Sequence, residues 1–147
     1  MKSVDELVVP AEQHVPMWMG FLAQQIREQF AGEDWGGLRQ SHLRVLTSIP
    51  TGGVNITELA ERVAMTKQGC GQFVGQLADA GLVRVRPDPA DRRVRTVQRT
   101  RAGASMVRRY SRRIEQIEQD WASAVGPERY AVFRDVLHSL AAGGGNP

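Results

Sequence analysis

The sequence is short of cysteine, of lysine and of long apolar runs. Cys70 is the single cysteine in 147 residues, so no disulfide can close within the chain and no cysteine-type zinc site can be assembled. No apolar stretch approaches the roughly 20 residues that a membrane span requires. The opening, MKSVDELVVP, places acids where a secretion signal needs a positive segment and an apolar run. A cytoplasmic protein with no membrane partner is therefore expected. Catalytic constellations are missing as well. His14, His42 and His138 are isolated, and no Ser/His/Asp or Cys/His set occurs at a recognisable spacing. No enzyme activity, no metal and no cofactor is expected. The run Gly69-x-Gly71-x-x-x-Gly75 comes near a dinucleotide fingerprint, but that motif needs a strand before it and a helix opening from its turn.

Lysine occurs only at Lys2 and Lys67, which leaves 17 arginines among 19 basic residues. Arginine favours planar, bidentate contact with phosphate or carboxylate. An arginine- and glycine-rich composition fits the base usage of a GC-rich genome equally well. Placement says more than totals. The formal net charge is only +3, yet residues 84–113 hold eleven arginines against Asp88 and Asp91, between acidic ends. Such a segment is the electrostatic footprint of a polyanion binder. A solvated face, or a docking surface for the acidic ends, would produce the same pattern.

The apolar spacing sets out the elements. Val15, Trp18, Met19, Leu22, Ile26 and Phe30 form one helical stripe, ended by Gly32 and the pair Gly36-Gly37. Leu38 to Ile49 reads as a second helix, broken by Pro50. Val54 suits a short strand. Asn55-Ile56-Thr57-Glu58 has the form of a capping box in which each end satisfies a backbone N–H of the other. Thr66 caps a fourth helix that runs to Ala80, with Gly81 at the left-handed position behind it. Residues 82–86 and 94–97 alternate apolar and polar around a tip rich in Pro and Asp, which predicts a β-hairpin. Thr100 caps a long helix whose seam is Val107, Tyr110, Ile114, Ile117, Trp121 and Ala124. Gly126-Pro127 breaks it, and Tyr130, Phe133, Leu137 and Leu140 stripe a last helix. The tail, residues 143–147, is expected to be disordered.

A helix pair followed at once by a basic hairpin is the winged-helix order. At this point the sequence resembles the MarR-type transcriptional regulators. The resemblance lies in Asn55 to Val63, Met65-Thr66-Lys67-Gln68, Leu77 to Val83, Pro87 to Arg93 and Thr100-Arg101-Ala102-Gly103. The expected fold is mainly α with a small β-hairpin wing (α+β), a winged helix-turn-helix core plus a helical dimerisation region. Residues 38–103 would form the DNA-binding domain, and residues 1–37 and 104–142 the dimerisation region.

The resemblance implies DNA contacts from Thr66, Lys67, Gln68 and Gln72 on the fourth helix and from Arg92, Arg93 and Arg95 on the wing. Asp91 would hold the wing arginine in place. It also implies a small aromatic ligand between the lobes, for which Trp18, Phe21, Trp35, His42 and Arg44 are the candidates. Apolar stripes at 15–30, 107–124 and 130–140 exceed what one small core covers, so a homodimer is expected. Cys70 reads as a small core residue. The functional expectation is a homodimeric, sequence-specific regulator of a palindromic operator, a repressor that a ligand releases from double-stranded DNA. The alternatives are an architectural, non-specific DNA-binding protein and a protein-interaction module that uses the basic wing. Gly69, Gly71 and Gly75 inside the reading helix are costly there. Either the helix approaches DNA or a neighbouring helix closely, or it orders fully only on DNA.

Overall fold

The structure, a computed structural model, describes residues 13–143. The expectations for residues 1–12 and for the tail from 144 onward lie outside the described residues. In chain order the elements are α1 (Val15–Ala31), α2 (Gln40–Thr47), β1 (Val54–Asn55), α3 (Ile56–Arg62), α4 (Lys67–Asp79), β2 (Val83–Pro87), β3 (Arg95–Arg99), α5 (Arg101–Val125) and α6 (Pro127–Ala141). None of these helices is long and apolar enough to cross a membrane.

Local chemistry explains most boundaries. Asn55 accepts the Glu58 N–H at 2.8 Å, Thr66 accepts that of Gly69 at 3.0 Å, and Thr100 accepts that of Gly103 at 3.1 Å. Only half of the expected capping box forms. The Glu58 carboxylate turns instead to Arg62, at 2.9 Å one turn on. Helix α2 is shorter than its apolar pattern. The Leu38 N–H is taken by the Trp35 carbonyl in a turn, and Ser48 closes the helix before Pro50. Helix α4 ends with Leu82 N–H bonding the Leu77 carbonyl and Gly81 N–H bonding that of Ala78, with Gly81 at φ +77°. That is the Schellman arrangement its sequence foretells. Helix α3 ends the same way through Ala64, a non-glycine residue at φ +55°.

The three strands form one antiparallel sheet in the order β1-β3-β2. Val97 lies at its centre, opposite Val54 on one side and Val85 on the other, and is wholly buried. Beneath the sheet, Leu46, Ile49, Leu59, Cys70, Val74 and Leu77 pack into the first core. A second core holds Phe30, Trp35, Leu43, Tyr110 and Ile117. Leu38 and Met106 pack against both. Cys70 is fully buried, and burial pushes its thiol pKa up, away from the reactive thiolate.

The terminal stripes are far less covered. Of the α1 stripe only Phe30 is buried, while Val15, Trp18 and Met19 stand exposed. On α6 only Tyr130 is buried, and Leu140 is 67% exposed.

Candidate nucleic-acid interface

The start of α4 and the wing face one hollow. Its volume is about 610 Å³, and Lys67, Arg93 and Arg95 line it together with the start of α3. Strand pairing explains Arg95. It lies opposite Pro87 on the same side of the sheet as the Val85–Val97 pair, so it projects from the underside of the wing. Arg84 and Arg86 stand on the outer side.

The wing tip is held by its two acids. Asp88 accepts the Ala90 N–H at 2.8 Å, and its own N–H reaches the Val94 carbonyl at 2.7 Å. Asp91 accepts the Arg93 N–H at 3.1 Å. Asp91 therefore bonds the Arg93 backbone rather than its guanidinium. Arg92, Arg93 and Arg95 are exposed, and none is ion-paired among the described residues.

Not every arginine of the basic segment is free. Arg113 pairs with Glu33 at 2.5 Å and donates to Gln29 at 2.8 Å, which ties α5 to the end of α1. Arg109 donates to the Asp34 carbonyl at 2.7 Å and lies 4.0 Å from the Trp35 ring centroid. Two of the eleven thus dock an acidic end, and the other nine have no ion pair among the described residues.

On α4, Thr66, Lys67, Gln68 and Gln72 are exposed, with Cys70, Val74 and Leu77 on the opposite, buried side. An exposed face of amides and a cation, beside uncompensated arginines, suits base edges and phosphates. Gln76, one turn beyond Gln72, is exposed too and was not among the expected residues. The four-residue step that separates Gln68 from Gln72 and Gln72 from Gln76 is the signal that marks it.

The five residues expected around a ligand do not line one cavity. Trp18 and Phe21 stand on the outer face of α1 with ring centroids 6.1 Å apart. Trp35 belongs to the second core, 5.0 Å from the Phe30 ring. It borders a hollow of about 500 Å³ shared with Arg27 and Arg39. Arg44 donates to the Val63 carbonyl at 2.5 Å, closing the end of α3. His42 is buried between α2 and α4.

Residues 37–94 match the sequence model of the MarR family. Over 107 residues the chain is 29% identical to the HTH-type transcriptional regulator PetP of Rhodobacter capsulatus, a match covering 73% of this chain and 63% of that protein. The PcaV transcriptional regulator of Streptomyces coelicolor, solved with its natural ligand, superposes with a TM-score of 0.77 at 22% identity, covering 94% of this chain and 99% of that one. FabT of Streptococcus pneumoniae, solved in complex with DNA, gives 0.73 at 15% identity, covering 88% and 94%. The fold is the winged-helix fold of these structures. In sequence, its helix-turn-helix and the first strand and tip of its wing are similar to the MarR family, and in structure its fold is similar to that of these regulators.

Proposed function

We propose that this protein is a homodimeric, sequence-specific DNA-binding transcriptional regulator, a repressor of a palindromic operator that a small aromatic ligand releases. The observation that carries the reading is the shared hollow of Lys67, Arg93 and Arg95, flanked by the exposed amides of α4. In this reading α4 enters the major groove, with Gln68 and Gln72 on base edges and Lys67 on guanine or phosphate. Thr66 caps α4 and meets a phosphate. Arg93 reaches the minor groove from the wing, and Arg92 and Arg95 meet phosphates. FabT, of the same fold, is a protein solved on DNA.

A second copy is the occupant that suits the uncovered apolar faces. Met19 and Leu22 of α1, Trp121 of α5, and Phe133 and Leu137 of α6 line one apolar groove. Two-fold pairing there would set two α4 helices about one DNA turn apart. Residues 1–37 and 104–142 would serve as the dimerisation region and 38–103 as the DNA-binding domain. The ligand is assigned to the hollow beside Trp35, where Arg27 and Arg39 offer carboxylate partners. Trp18, Phe21, His42 and Arg44 do not border that hollow within one chain. A releasing ligand must bind the free protein more tightly than the operator-bound one.

Selection of bound duplexes from a random pool tests the reading. A palindromic consensus supports it, and retention of all sequences alike points to an architectural, non-specific binder. Arg93→Ala should weaken binding and lower the salt slope by about two, one for each protomer, whereas an interaction module would show no steep salt dependence on DNA.

A further inference from the structure

We infer that Gln76 is a third reading residue of α4, and that buried His42 decides which end of its amide faces the DNA. The inference rests on the DNA-binding reading above and deepens it. Gln68, Gln72 and Gln76 follow at four-residue steps along α4, so they form one row on its exposed face. Gln76 differs from the other two because something behind it fixes its orientation. His42 of α2 is only 5% exposed, and both its ring nitrogens are engaged.

Nδ1 lies 3.1 Å from the Arg39 backbone nitrogen, and a backbone N–H can only donate. Nδ1 is therefore the acceptor and carries no proton, which leaves the proton on Nε2. Nε2 meets the Gln76 side-chain oxygen. The tautomer thus follows from the helix cap. The Phe73 ring stands edge-on to the imidazole at 4.9 Å and an interplanar angle of 84°, which restricts its rotation.

The consequence at the surface is chemical. A free glutamine presents both an oxygen and an NH₂ and pairs bidentately with adenine. Gln76 has its oxygen turned inward to His42 and offers the NH₂ outward. A donor-only probe favours guanine, whose major-groove edge carries the N7 and O6 acceptors, over adenine, whose N6 is itself a donor. His42 is a positioning residue here, touching no DNA and acting through Gln76.

The test is selection of bound duplexes by the full-length protein and by four variants, scored at each base-pair position. His42→Asn keeps an acceptor near Nδ1 but removes the Nε2 donor. His42→Gln keeps a donor near Nε2 but removes the cap acceptor. The wild-type protein should prefer guanine over adenine about five- to tenfold at one position per half-site. Gln76→Ala should abolish that preference. His42→Asn should widen it to admit adenine, since the amide can then turn, while His42→Gln should keep it and lower the melting temperature.

Gln76→Glu alters only an exposed side chain, so it remains informative if a His42 variant fails to fold. It keeps an oxygen towards His42 and should shift the preference to cytosine, whose N4 is a donor. An unchanged profile for Gln76→Ala or Gln76→Glu overturns the reading role. An unchanged profile for folded His42→Asn overturns the role of the histidine. Nitrogen-15 spectra of the free protein should show protonated Nε2 and bare Nδ1, and the opposite tautomer would overturn the proposal without any DNA. If the wild-type protein selects no sequence at all, the DNA-binding reading fails and Gln76 falls with it.

Discussion

Two glycines show how differently one residue type is used. A Cβ on Gly103 would stand 2.0 Å from the Leu82 carbonyl oxygen, whereas a Cβ on Gly71 would meet nothing within 4 Å. Gly103 is therefore a close-packing requirement at the foot of α5. Gly103→Ala should cost about 1–3 kcal/mol through overpacking against backbone, read by chemical denaturation. Gly71→Ala should instead raise stability by up to about 1 kcal/mol, because it improves helix propensity in open space. Gly71 and Gly75 border the row of glutamines, and no neighbouring helix of the chain approaches them. Two accounts are left, a helix that orders fully only on DNA and close approach of DNA. On the second account Gly71→Ala loses DNA affinity while gaining stability, and unchanged affinity would exclude it.

Among the elements, the junction between the wing and α5 is held by the hydrogen bonds of one residue, Thr100. Thr100 accepts the Gly103 N–H, donates its hydroxyl proton to the Gly81 carbonyl at 2.7 Å, and gives its backbone N–H to Leu82 at 3.1 Å. One side chain thus caps α5 and holds the loop that ends α4. Thr100→Ala should cost about 1–2 kcal/mol, more than the loss of a simple cap at Asn55. Thr100→Ser, which keeps the hydroxyl, should recover most of it. Thermal melting of the three variants side by side checks the order.

Such caps are legible in a sequence because their partners sit three residues away. Asn55, Thr66, Thr100 and Gly81 all occupy the places that local chemistry assigns. His42 with Gln76, 34 residues apart, and Arg44 with Val63, 19 apart, are not legible in that way. Nothing in the sequence around His42 marks its partner on another helix. Arg109 and Arg113 count as free basic charge in the sequence, yet in the fold they face Glu33, Asp34 and Trp35. The covalent neighbourhood carries the first kind of information and only tertiary packing carries the second.

At the scale of the whole molecule, α6 is anchored on α5 through Tyr130, whose hydroxyl donates to Glu118 at 2.7 Å. Burial first, then this hydrogen bond and the nearby carboxylate charge, push the phenol up to about 12 from its ordinary 10. The unfolded chain loses this proton about two pH units earlier. Its contribution to stability is thus complete below pH 10 and is lost as pH rises through about 12. Tyr110→Phe leaves Tyr130 as the single tyrosine, and its phenolate absorbance should then appear near pH 12.

Leu38 and Met106, which pack against both cores, carry a consequence for how the chain comes apart. Neither core can lose its neighbour without exposing a side chain they hold in common. Calorimetry should record one transition, with van't Hoff and calorimetric enthalpies in agreement, rather than a lobe that melts ahead of the other. An excised fragment of residues 38–103 would lack Met106 and should fold poorly. Heat, in short, meets this chain as one cooperative unit.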